Sequence, residues 1–245
     1  IFNNSLISLK QIEIGNRCFD KVNRFVIDGL NILETIDIGE KSFYLDNENN
    51  RGSSCLIMNC DQLKQIHFGY ISFYWYESFE LNNLHSLKSI QLDQYAWVRV
   101  VSEETRRGSK CVIMNCDELK EIHIGRCLFY WYESFELKNL PSLISIQLGK
   151  YAFFKCHSII FESMNGCMTY KWDLTRLQSI ILREGALQGD YKTTDSIVLT
   201  IKSLNDGDDW LMRSSFSISI QRRWLQFLGY TEGNIGEWCL WLFLN

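Results

Sequence analysis

The stretch Leu143-Ile144-Ser145-Ile146-Gln147-Leu148-Gly149 belongs to a series. Leu9, Leu33, Leu63, Leu87, Leu119, Leu143 and Leu177 each open the same pattern: Leu, two residues, an aliphatic, one outward residue, an apolar residue and usually Gly. An aromatic stands ten residues beyond the opening Leu, at Phe19, Phe43, Phe73, Trp97, Phe129 and Phe153. Self-similarity at such a period means that no unit can bury its apolar side alone. Neighbours must stack so that one core runs through all of them, which is a solenoid.

The openings lie 24, 30, 24, 32, 24 and 34 residues apart (33 minus 9, 63 minus 33, and so on), so coils of a basic length alternate with coils that carry insertions. The extra residues fall in polar stretches such as Asp46 to Gly52 and Ser102 to Gly108, which are loop compositions. Within a coil, Ile12 and Ile14 alternate with Gln11 and Glu13, the two-residue period of a half-buried strand. A second alternating pair precedes each next Leu: Phe25 and Ile27, Cys55 and Ile57, Phe79 and Leu81, Cys111 and Ile113, Phe135 and Leu137. The spans between are short, aromatic and β-branched and carry no helical spacing. The pattern predicts a mainly β fold: a solenoid of about seven coils with two parallel sheets over residues 1–202, then a small C-terminal cap over 203–245. Trp210 to Leu228 in that cap has apolar spacings compatible with a helix. On top of the coils, Arg51 to Tyr95 recurs as Arg107 to Tyr151 at an offset of 56 (107 minus 51), so two coils were copied as one unit.

The phrases Leu87-Lys88-Ser89-Ile90-Gln91-Leu92 and Tyr151-Ala152-Phe153-Phe154-Lys155-Cys156 resemble the leucine-rich repeat superfamily, and most closely its BspA-like type, over about residues 5 to 201. This chain has Gly or Asp after the strand, where that type usually has Pro. The resemblance implies a leucine-rich-repeat-like solenoid, a role as an adhesion or binding surface, and a place at the cell surface or outside the cell. The chain opens on Ile1 rather than Met, so localisation is not readable from its start.

A net charge of −4 with mixed signs leaves no basic stripe, which argues against a phosphate-tracking nucleic-acid groove. No run of residues approaches the roughly 20 apolar positions of a membrane helix. Nine cysteines are an odd count, and Cys55 and Cys111 stand where Phe79 and Phe135 stand in the next coils, so they read as small core residues. A zinc site from Cys-x4-Cys with His67 or His123 is disfavoured, because the histidines fall on outward positions and the first cysteine on an inward one. Disulfide pairing stays open at this point. Asn205 to Asp209 lacks the closing glutamate of an EF-hand and reads as a polar loop. No cofactor is expected.

Two surfaces stand out. Glu13, Asp37, His67, Gln91, His123, Gln147 and Ile181 form an outward ladder, with Gln11, Thr35, Gln65, Ser89, Glu121, Ser145 and Ser179 as its companion row. At the strand spacing of about 4.8 Å the two imidazoles lie about 9.6 Å apart. Such a ladder is either a solvated sheet face or a ligand groove. The second surface is the pair of turns Phe73-Tyr74-Trp75-Tyr76 and Phe129-Tyr130-Trp131-Tyr132, where alternation cannot bury four consecutive rings. If Phe73 and Tyr76 pack inward, Tyr74, Trp75, Tyr130 and Trp131 form an exposed patch of ring types enriched at binding hot spots; the alternative is satellite packing over the sheet edge. The insertion loops, with Glu103, Glu104, Arg106 and Arg107, are a third contact region.

An enzyme that cleaves polysaccharides would need a paired acid and base on adjacent coils. The ladder offers Glu13 beside Asp37, while His67 and His123 are read as flanking neutral Gln91 without a carboxylate to set a tautomer, Glu121 being the one acid near His123. The reading is therefore a non-catalytic scaffold that binds a protein or a glycan through Tyr74, Trp75, Tyr130, Trp131, His67, Gln91, His123 and Gln147. A purely structural array within a larger surface protein is the alternative.

Overall fold

The computed structural model describes residues 1–3, 5–46, 50–95, 108–154, 156, 158–162, 179–182 and 198–202. Strands numbered along the chain fall alternately into two parallel sheets. One contains β1 (Phe2–Asn3), β3 (Arg24–Asp28), β5 (Ser54–Met58), β7 (Ser78–Asn82), β9 (Lys110–Met114), β11 (Ser134–Lys138), β13 (Ser158–Glu162) and β15 (Val198–Lys202), hydrogen-bonded in that order. The other contains β2 (Gln11–Ile14), β4 (Thr35–Ile38), β6 (Gln65–Phe68), β8 (Ser89–Leu92), β10 (Glu121–Ile124), β12 (Ser145–Leu148) and β14 (Ser179–Leu182), again in chain order. No described residue is helical, and so none lies in a helix long and apolar enough to cross a membrane. This is a β-solenoid-like stack, as the repeat phrase predicts. The cap expected over 203–245 lies outside the described residues.

The register aligns like with like. Ile12, Ile36, Ile66, Ile90, Ile122 and Ile146 are Cα partners from strand to strand, and all six are buried. On the facing wall, Phe25, Cys55, Phe79, Cys111 and Phe135 pair in the same way and are buried in the same core. Each such side chain contributes about 1.5–3 kcal/mol of transfer free energy when fully removed from water. A slip of one residue would turn the whole set to solvent, so burial and register enforce one another.

The turn after the second sheet explains how four rings fit in a row. Ile71, Phe73 and Trp75 adopt φ of 58°, 54° and 70°, and Cys127, Phe129 and Trp131 repeat this at 58°, 53° and 65°. Left-handed φ at bulky L-residues costs about 1–2 kcal/mol each. The offset comes from backbone bonds to adjacent coils, because these residues' amides donate alternately forward and back: Ile71 N to Gln94 O at 3.1 Å and Phe73 N to Ser42 O at 2.9 Å. Within the turn Phe73 and Tyr76 are fully buried. The ten-residue aromatics Phe43, Phe73, Phe129 and Phe153 lie in the core as expected, with Phe43 stacked on Phe73 at 4.6 Å and Phe129 on Phe153 at 4.8 Å. Phe19 differs. It lies half exposed, with its ring stacked on Phe43 at 5.1 Å. Trp97 lies outside the described residues.

Asparagine closes the turn after the first sheet's strands. Asn59, Asn83, Asn115 and Asn139 take positive φ, which Asn tolerates better than most residues. Their amides form a file along the stack: Asn59 Nδ2 donates to Asp28 at 2.7 Å, Asn83 to Asn59 at 3.1 Å, Asn115 to Asn82 at 2.9 Å and Asn139 to Asn115 at 3.0 Å.

Candidate functional site

Parallel pairing places the outward row where the repeat phrase predicts it. Glu13 faces Asp37, Asp37 faces His67, His67 faces Gln91, Gln91 faces His123 and His123 faces Gln147 on successive strands. These residues therefore share one lateral face, with Thr35, Ser89 and Ser145 two residues earlier on the same side of their strands. Ile181 continues the row on β14 by Cα pairing with Gln147.

One member of the row is held from both sides. His67 Nδ1 lies 2.9 Å from Asp37 Oδ1, and its Nε2 lies 3.3 Å from Asp93 Oδ2. Gln91 Nε2 also donates to Asp93, at 3.2 Å. The expectation that His67 has no neighbouring carboxylate is thus wrong. Asp37 is its register partner, and Asp93 reaches it from a position that is Gly in adjacent coils. That position is a file of tight turns: Gly39, Gly69, Asp93, Gly125 and Gly149 each donate their amide to the preceding coil. A Cβ on Gly125 would lie 2.8 Å from Asp93 C, and one on Gly149 would lie 2.5 Å from Gly125 C. Asp93 is the side chain that this crowded file admits among the described coils, and it turns toward His67. Partial burial opposes charging of His67, but the hydrogen bonds and charges of Asp37 and Asp93 outweigh it and hold the pKa above its ordinary value. For His123, among the described residues, neither Glu121 nor any other acid makes a hydrogen bond to the ring.

The aromatic turns separate into inner and outer rings. Phe73, Tyr76, Phe129 and Tyr132 are fully buried. Tyr74, Trp75, Tyr130 and Trp131 are intermediate rather than open to solvent. Tyr74 stacks on Tyr44 with centroids 4.9 Å apart and planes 3° from parallel, Tyr130 stacks on Phe154 at 4.9 Å, and Trp75 packs partly against the core. Ring faces are thus partly consumed by neighbouring coils. Burial, with the adjacent Tyr44 phenol, raises the Tyr74 pKa. Beside the polar row, Arg126 lies over the Tyr95 ring at 5.7 Å, Tyr70 meets Tyr95 edge-on at 5.9 Å, and Lys150 lies over Tyr151 at 5.0 Å. This aromatic and cationic margin went unread in the sequence, although its residues stand one or two places after Gly69, Asp93, Gly125 and Gly149.

Cys55, Cys60, Cys111, Cys116 and Cys156 are buried free thiols, and Cys18 and Cys127 are half-buried free thiols. Burial pushes Cys60 up to about 11 and Cys116 up to about 12, which leaves them protonated and inert. Cys60 donates instead to Met58 O at 3.2 Å and Cys116 to Met114 O at 3.3 Å. No group of three metal-binding side chains converges among the described residues. Where the insertion loops rejoin the stack, Gly52 N donates to Glu77 at 2.7 Å and Gly108 N to Glu133. Glu103, Glu104, Arg106 and Arg107 lie outside the described residues, as does Asn205 to Asp209.

No family model, no curated protein and no solved structure matches this chain.

Proposed function

We propose that this protein is a repeat-based, non-catalytic binding scaffold whose lateral strand face engages a protein or glycan partner, with the aromatic turns contributing at the margin. The carrying observation is the register itself, which sets His67, Gln91, His123 and Gln147 in one outward row on consecutive strands. Polar side chains repeated at the strand spacing of about 4.8 Å suit an extended ligand that crosses several coils. Tyr74, Trp75, Tyr130 and Trp131 supply large amphipathic rings beside it, the residue types that dominate binding energetics when they are covered by a partner. The finer description is a leucine-rich-repeat-like solenoid of about seven coils over 1–202 with a cap over 203–245, akin to the BspA-like type. That resemblance also supports a surface or secreted setting.

A structural array is the second reading, and the stacking of Tyr44 on Tyr74 and of Tyr130 on Phe154 favours it, since rings occupied by one another serve the stack first. Binding of the chain and of a Trp75→Ala, Trp131→Ala double variant to glycan and protein panels separates the two. The scaffold reading expects a specific ligand whose affinity falls at least about tenfold in the double variant, an amount typical of hot-spot truncation. No ligand for the parent favours the array, and unchanged affinity removes the aromatic turns from the surface. The polysaccharide-cleaving alternative requires activity that Glu13→Gln or Asp37→Asn abolishes.

A further inference from the structure

The His67 ring has carboxylates on opposite sides rather than on one. A neutral imidazole carries one N–H donor and one lone pair, so it can donate to Asp37 or to Asp93 but not to both. The imidazolium donates to both. The distances of 2.9 Å at Nδ1 and 3.3 Å at Nε2 are therefore satisfied together only in the protonated state, and in the neutral state a lone pair faces a carboxylate. The opposed directions also exclude a shared metal ion, because the two carboxylates do not converge on either ring nitrogen.

The charged surroundings are few. From β4 and the turn before it come Asp37 and Glu34; from β8 and its flanks come Asp93 and Lys88; β6 itself is preceded by Lys64. Glu34 is engaged by Lys64 at 2.6 Å. One strand further out stand Glu13 on β2 and, on the other side, Glu121 and His123 on β10. Among the described residues, Asp37 and Asp93 are the groups that hydrogen-bond the ring.

We infer that Asp37, His67 and Asp93 form a proton-controlled staple across three successive coils, closed when His67 is protonated and released at Asp93 when it is not. Release falls on the Asp93 side because that contact is the longer one and because Gln91 offers Asp93 a second partner. The staple ties β4, β6 and the end of β8 at the centre of the polar row, so proton uptake stiffens that face. This inference stands without the binding proposal, since it concerns the ligand-free chain.

The test is a pH titration of the histidine ring nitrogens by NMR in the full chain, with His123 as the internal reference. The expected result is a His67 midpoint above that of His123, both ring N–H groups of His67 protected from exchange at low pH, and a midpoint that falls in Asp37→Asn, falls in Asp93→Asn and falls further in the double variant. The His123 midpoint, unchanged in all three, reports that the fold is intact. Coincident midpoints for His67 and His123, or a His67 midpoint unmoved in the double variant, overturn the staple. A fall with Asp37→Asn alone reduces it to an ordinary pair and overturns the three-coil form.

Discussion

Residues 51–95 and 107–151 are near-copies in sequence, yet their exposed histidines live in different surroundings. Contacts made inside the copied pair of coils are reproduced: Gly52 to Glu77 recurs as Gly108 to Glu133, and Ser53 Oγ accepting from Glu77 N recurs as Ser109 Oγ accepting from Glu133 N. Contacts that reach out of the pair depend on what the neighbouring coil offers. His67 meets Asp37, whereas His123 in the same place meets Gln91. A bond to backbone survives the change of neighbour: Tyr76 donates its hydroxyl to Val22 O, and Tyr132 donates to the equivalent carbonyl, Tyr76 O, at 2.5 Å. Among the positions at which the copies diverge, Asp93 against Gly149 removes the second carboxylate from His123. In a stack, a side chain's chemistry is thus set by the coils on either side as much as by its own.

Four perturbations sharpen that contrast, starting with the largest. Tyr76→Ala and Tyr132→Ala each empty a fully buried ring site and should cost about 3–5 kcal/mol in urea unfolding. Tyr76→Phe and Tyr132→Phe should each cost only about 1 kcal/mol, because only the buried hydroxyl bond is lost. If the two copies differ strongly in either series, neighbouring coils do not support them equally. Next, Gly149→Ala should destabilise by about 1–3 kcal/mol, since its Cβ would lie 2.5 Å from Gly125 C, while Gly69→Ala, with its nearest neighbour at 3.0 Å, should cost less. Equal costs would show that the file of turns is not as tight at Gly149 as its geometry indicates.

A gain of function comes third. Gln91→Asp gives His123 the register-partner carboxylate that Asp37 gives His67, so the His123 titration midpoint should rise; an unmoved midpoint would mean that register alone does not set the contact. The smallest effect is on stability against pH. The folded pKa of His67 is above its unfolded value, so the staple's contribution is fully present below the unfolded pKa and is lost as pH rises through the folded one. With the His67 side chain 40% exposed, solvent screens the pair, and the extra loss of Tm relative to His67→Gln between acid and mildly alkaline pH should be about 1–3 °C. Parallel Tm curves for the two chains would remove His67 from the stability balance.

Much of this fold was legible in the repeat phrase, because a two-residue period and a recurring Leu both report depth in the core. The inward pairs from Phe25 and Ile27 to Phe135 and Leu137 follow from that alone, whereas Phe73 and Tyr76, three residues apart, turn inward together through the left-handed backbone of their turn. The outward row was legible for the same reason, and its order already set Asp37 beside His67, although His67 was read as having no neighbouring carboxylate. What escaped depends on backbone conformation rather than periodicity. Asp93 sits in a turn position read only as a variant of Gly, so its reach to His67 was invisible. The left-handed residues of the aromatic turns, which direct Tyr74 onto Tyr44 and Tyr130 onto Phe154, have no compositional mark, since Ile, Phe and Trp rarely take positive φ. The asparagine file was open to view in Asn59, Asn83, Asn115 and Asn139, one place beyond β5, β7, β9 and β11, but periodicity alone gives such a position no role.

The most direct measurement of the central claim, that parallel coils stack in this register, is a cysteine cross-link between outward positions of β6 and β8. Gln65 and Ser89 are Cα partners, and at the parallel-strand spacing of about 4.8 Å introduced thiols fall within disulfide range. The account predicts that a Gln65→Cys, Ser89→Cys chain forms that bridge on mild oxidation, located by mass spectrometry, while a Gln65→Cys, Gln91→Cys chain does not. Efficient bridging of the second pair, or none of the first, would contradict the register and everything placed on it.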